Sequence, residues 1–102
     1  MSMTKYTFML EHAKDTLGEA KEYYKDYLYN RETYPAVSKL YLALGQRHLL
    51  IYKDIMSTMK NELTMDKSSG VKESADEIAY IDYEKKKLGE TYDMCAYKYS
   101  QI

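Results

Sequence analysis

Tryptophan is absent, and cysteine and proline each occur once among 102 residues. The lone thiol, Cys95, excludes an internal disulfide and suits a reducing compartment, so a cytoplasmic location is expected. Pro35 is the only proline, which leaves the backbone elsewhere open to long helices. Charge of one sign is also missing, since 15 basic residues face 16 acidic ones for a net charge of −1. That balance provides no electrostatic footprint for nucleic acid and no pull toward an anionic membrane. Long apolar runs are lacking too. The longest, Leu40 to Leu44, is far too short to span a bilayer, and Met1 to Met9 has no basic segment leading into an apolar core. Neither nucleic acid nor membrane is therefore an expected partner, and no secretory signal is expected.

What is present is periodicity. Tyr6, Leu10, Ala13, Leu17, Ala20, Tyr24 and Tyr27 keep a three-four alternation. So do Ile78, Ile81, Leu88, Tyr92, Cys95, Tyr99 and Ile102, interrupted only by Lys85. Such spacing makes one narrow stripe on a helix, which other helices must cover. Two breaks divide the chain. Asn30 to Pro35 ends one helix and starts the next, because proline disfavours helical geometry before it and suits a first turn. Asp66 to Gly70 reads as a polar loop, after which Ser74 and Glu77 sit at capping-box spacing. Thr4 is the expected cap of the first helix. Helices are predicted over 5–30, 35–64 and 74–100. The fold class is all-α, one domain of three long antiparallel helices in an up-down-up bundle, completed by dimerisation.

The middle helix motivates that last step. Val37, Tyr41, Leu44, His48, Ile51 and Ile55 are its expected core stripe. Leu40, Leu42, Leu49, Leu50, Tyr52, Met56 and Met59 extend apolar surface well beyond it. A helix apolar on several sides needs cover on several sides, which a second copy can supply. Tyrosine, present 13 times, adds to this. Tyr23, Tyr24, Tyr27 and Tyr29 cannot all face one core, and aromatic rings with a polar tip are favoured at interfaces. Leu42, Leu49, Tyr52, Met56, Tyr23 and Tyr29 are the candidate interface residues.

Chemistry is thinly represented. Antiparallel folding brings Gly18, Gly45 and Gly89 to similar height, with His48, Glu19 and Tyr92 beside them. His48, Glu19, Gly45 and Tyr92 thus make a candidate mid-bundle ligand layer. The competing reading has a Tyr–His hydrogen bond inside the core, with the glycines tolerated on solvent faces. His12 is expected in solvent. Cys95 is expected in the core, where a thiol is inert. The acids Glu11, Asp15, Glu19, Glu22 and Asp26 recur along the first helix as a solvated or partner-binding ridge. No catalytic residue, metal or cofactor is expected.

The segment Ser38 to Met59, with its apolar run leading into Gln46, Arg47 and His48, resembles a helix of ferritin-like bundles. That resemblance implies helical packing without di-iron chemistry, because Gly45 and Met9 stand three residues before His48 and His12 where carboxylates would be needed. In general texture the chain is similar to small helical proteins of bacterial phages and mobile elements, which implies inhibition of, or immunity to, some partner. Two functions follow as expectations: a non-enzymatic module for protein association, as homo-oligomer or adaptor, or a bundle with a small-molecule or metal site at His48.

Overall fold

A computed structural model describes residues 4–70 and 74–102. Three α-helices account for nearly all of them: α1 (Thr4–Asn30), α2 (Pro35–Ser68) and α3 (Ala75–Ser100), with no strand among the described residues. No helix among them is long and apolar enough to cross a membrane. The particle measures 56 × 22 × 19 Å, so its long axis is close to the length of α2, about 50 Å by helical rise.

The helix ends follow local chemistry. Asn30 turns its side-chain amide back onto the Asp26 carbonyl (2.7 Å), and the Tyr34 amide closes on the Asn30 carbonyl (2.7 Å). Pro35 then opens α2 at its first position, where its missing N–H costs nothing. Ser74 caps α3, its hydroxyl accepting from the Glu77 amide at 3.1 Å, with Asp76 and Glu77 in the first turn favouring the helix dipole. The Thr4 side-chain cap lies outside the described residues.

One boundary differs from expectation. α2 continues past 64 to Ser68, and Asp66 is a helical residue rather than part of a loop. Cross-helix partners hold this last turn: Lys5 Nζ lies 2.9 Å from Glu62 and 3.1 Å from Asp66, and the Tyr6 hydroxyl donates to Asp66. The chain finally turns at Gly70, whose φ of +81° is a conformation that side-chain-bearing residues rarely adopt.

Packing confirms the stripes of α1 and α3. Tyr6, Leu10, Ala13, Leu17 and Ala20 are buried on α1, and Ile81, Leu88, Cys95 and Tyr99 on α3. Ile78 is half-exposed and Ile102 lies beyond the last helix. For α2 the expected stripe is corrected. Its buried positions are Ser38, Gly45, Leu49, Tyr52 and Met59, with Leu42, Met56, Leu63 and, from the expected stripe, Ile55 packed alongside. Nearly every core position lies one residue later than predicted, a rotation of about 100° around the helix. The reason is that Ser38 and Gly45 belong to the seam. Ser38 is buried with its hydroxyl bonded to the Pro35 carbonyl, and Gly45 is small enough to admit the Tyr99 ring.

α1 and α2 form the close pair, and α3 lies more on α1 than on α2. Tyr99, one residue from the end of α3, donates to the Ala20 carbonyl (2.7 Å) and meets the Tyr24 ring edge-on at 5.3 Å. The last turns of α1 and the first turns of α2 therefore project past α3. Leu28, Tyr29, Tyr34, Val37 and Leu40 are exposed on that projecting tip.

Candidate functional site

The four residues of the expected ligand layer go to three different places. His48 and Glu19 do meet: His48 Nε2 lies 2.6 Å from Glu19 Oε2, while Nδ1 lies 2.8 Å from the Leu44 carbonyl oxygen. Each ring nitrogen therefore has an oxygen partner. The Tyr23 ring packs against it at 5.1 Å, and Tyr41 extends the group at 6.2 Å from Tyr23. The histidine's partner across the bundle is thus a carboxylate, where a tyrosine hydroxyl was expected. Gly45 is elsewhere, under the Tyr99 ring. Tyr92 stacks on Tyr52, with centroids 5.0 Å apart and planes 16° from parallel, and Lys53 Nζ sits 5.9 Å from the Tyr92 centroid. Among the described residues no three His, Cys, Asp or Glu side chains converge to hold a metal.

The glycines divide by role. Gly18 and Gly89 face open space, and only Gly45 marks a close approach. A broad depression of about 890 Å³ surrounds Gly18 and is lined by charges of both signs, including Lys14, Lys87, Glu19 and Glu84. A smaller one of about 220 Å³ lies between α1 and α3, with Lys21, Lys25 and Lys98 around Tyr24, Met94 and Cys95. Cys95 is buried, and burial pushes its thiol up against the opposite, weaker pull of Lys21 and Lys98. It is a core residue, as expected. His12 is exposed, also as expected.

The candidate interface residues separate in the same way. Leu49 and Tyr52 are only 8% and 5% exposed, covered by the chain's own helices. They are corrected from interface to core. Leu42 and Met56 are half-buried at the margin of that core, Tyr23 is half-buried beside His48, and Tyr29 stands in solvent at 87% exposure.

The apolar surface left uncovered on α2 is the stripe read as its core. His48, Tyr41 and Asp66 face α1, and Gly45 and Tyr52 face α3. At about 100° per residue, Leu44, Ile51 and Ile55 fall on the far side of the α1 contact from α3. They are partly buried there, Ile55 against the core itself, and exposed Val37 and Leu40 (59%) continue the row toward the tip. Across the shallow groove, Phe8 of α1 is exposed, and beside it run the acids Asp15, Glu19, Glu22 and Asp26, of which the first three also line the depression that reaches Glu84 and Lys87 of α3. The result is a two-helix groove with one apolar wall and one acidic wall, where a four-helix bundle would place its fourth helix. The sequence reading placed Val37, Leu44 and Ile51 in the core stripe and Leu40 in the apolar surface beyond it. Comparison with models of protein families, with characterised proteins and with solved structures gives no match to this chain.

Proposed function

We propose that this protein is a non-enzymatic helical module that works by protein association, with the α1/α2 groove as its contact surface. The single observation that carries this reading is the row of exposed Val37 and Leu40 with partly buried Leu44 and Ile51, which three helices leave partly uncovered. Isolated exposed apolar residues need no explanation, but a continuous row along several helical turns marks an interaction site. The acidic wall gives the groove a preference in partner and orientation. Filling it completes a four-helix cross-section, whether a second copy or another chain does so. The reading places the protein in the cytoplasm, in keeping with its single reduced cysteine, and gives it no cofactor.

A photo-crosslinking residue at Leu40, compared with one at Lys60 on the opposite side of α2, tests this in cells. A discrete crosslinked product at position 40 and none at 60 supports the reading. No product at 40, or the same products at both positions, contradicts it.

The alternative, a small-molecule or metal site at His48, is favoured by one observation: the His48–Glu19 pair is only partly shielded and lies in the floor of the same groove. Divalent ions that raise the melting temperature of the native protein but not of His48→Gln would support it.

A further inference from the structure

The smaller depression between α1 and α3 combines apolar walls with charge of one sign. Buried Cys95, Tyr24 and Met94 line it together with Lys21, Lys25 and Lys98, and no acid is in its lining. Its volume of about 220 Å³ is the space of about seven water molecules, enough for a short hydrocarbon chain. The larger depression beside it shares Lys21 and Thr91 but takes in Asp15, Glu19, Glu22 and Glu84 against three lysines. The positive bias is therefore confined to the smaller one.

The lysines keep most of that charge available. Glu22 offsets Lys25 at 3.3 Å, with both side chains well exposed, whereas Lys21 and Lys98 are in no ion pair among the described residues. Both act on the cavity itself: burial raises the Cys95 thiol, and Lys21 and Lys98 are the charges that pull it back. Asp93, beside Met94 in sequence, acts instead on Tyr52 of α2. Helix ends do not account for the set. Lys98 is in the last turn of α3, where a cation offsets the dipole, but α1 has no basic residue in its last turn, and Lys21 and Lys25 stand before it.

We propose that this depression binds a small organic anion, a short apolar body with one carboxylate, its body over Tyr24, Met94 and Cys95 and its head between Lys21 and Lys98. A neutral apolar ligand would leave the two charges unused, and a bare anion would leave the apolar walls wet. An amphipathic anion satisfies both. Lys21 and Glu19 are about 160° apart around α1, so the site is separate from the His48–Glu19 pair and from the α1/α2 groove.

Titration with sodium octanoate, followed by methyl resonances of the full-length protein, tests this. Met94 reports the site and Ile51 reports the α1/α2 groove. Octanoate is expected to shift Met94 saturably and leave Ile51 in place, with weaker binding in high salt. Octanol lacks the charge and inorganic phosphate lacks the chain, and each is expected to bind about tenfold more weakly. Lys21→Gln and Lys98→Gln should each weaken octanoate about threefold to fivefold, and together about tenfold. Lys60→Gln on α2 should leave the titration unchanged. All three lysines are exposed, and circular dichroism checks that folding is unaltered.

A Met94 signal that does not shift saturably overturns the inference. So does octanol or phosphate binding as tightly as octanoate, since chain and charge would then not act together. Ile51 moving at the same midpoint as Met94 also overturns it, because octanoate would then be coating apolar surface at large. Lysine variants that titrate like the unaltered chain remove the assigned head-group contact and the proposal with it.

Discussion

The Tyr99 hydroxyl occupies the space where Gly45 would carry a side chain: a Cβ at that position would overlap both the oxygen and the ring carbon bearing it. α2 and α3 touch little elsewhere, so this pair is a main point at which α3 is anchored to α2. The same hydroxyl reaches through to the Ala20 carbonyl on α1. One tyrosine thereby ties all three helices at one level, and it can do so only because α2 has no side chain there.

Gly45→Ala is accordingly expected to destabilise the protein by about 1–3 kcal/mol, although alanine is the better helix former by about 1 kcal/mol. Gly18→Ala and Gly89→Ala meet nothing and are expected to stabilise it by about 0.5–1 kcal/mol each. Urea unfolding of the three variants checks the ordering. A Gly45→Ala variant as stable as Gly18→Ala would remove the anchoring role.

Tyr99→Phe keeps the ring and loses the donor to Ala20, a change expected to cost about 1 kcal/mol at neutral pH. Burial pushes the Tyr99 and Tyr52 phenols up, with Cys95 and Tyr24 adding to the effect at Tyr99 and Asp93 and Tyr92 at Tyr52. A raised acid is held neutral by the fold. Its contribution is present below the ordinary phenol value of about 10 and is lost as pH rises through the folded-state value. Melting temperature should therefore fall above about pH 10, and fall less steeply in Tyr99→Phe.

Acid acts at the other end of the bundle. The Tyr6 hydroxyl and then the Lys5 ammonium hold the Asp66 carboxyl below its usual range. Stability from a depressed carboxyl is complete above about pH 4 and is lost as pH falls through the lowered value. Lys5, raised by Glu62 and Asp66, retains its charge throughout this range. Asp66→Asn is expected to flatten the acid limb of the stability curve and to fray the last turn of α2, which amide exchange at residues 62–68 would register.

Core and groove substitutions on α2 should part cleanly. Leu49→Ala is expected to cost about 2–4 kcal/mol, and a charge at Leu49 or Tyr52 to lose helix content outright. Leu40→Glu should leave stability within about 0.5 kcal/mol. Thermal melts read by circular dichroism separate the two groups.

The same contrast shows how far the sequence could be read. The seams of α1 and α3 were legible because one three-four row was apolar and its rivals were not. On α2 two adjacent rows compete. Val37, Tyr41, Leu44, His48, Ile51 and Ile55 form one, and Ser38, Leu42, Gly45, Leu49, Tyr52, Met56, Met59 and Leu63 form the other. Hydropathy favours the first because Ser38 and Gly45 interrupt the second. The fold uses the second because small residues let Tyr99 and its neighbours approach. The apolar run of that row from Leu49 to Leu63, which outlasts its rival, was the available signal. Hairpin geometry alone brought His48 and Glu19 to one layer, whereas their pairing and the separate destinations of Gly45 and Tyr92 required knowing how each helix is rotated.

Oxidative footprinting of side chains tests most directly whether the α1/α2 groove is covered when the protein works. Reactivity is compared in intact cells and in dilute purified protein, with exposed Leu50 as the internal reference. The predicted result is strong protection of Val37 and Leu40 in cells, relieved on dilution, while Leu50 reacts equally in both. Equal reactivity of Val37 and Leu40 under the two conditions would contradict the account.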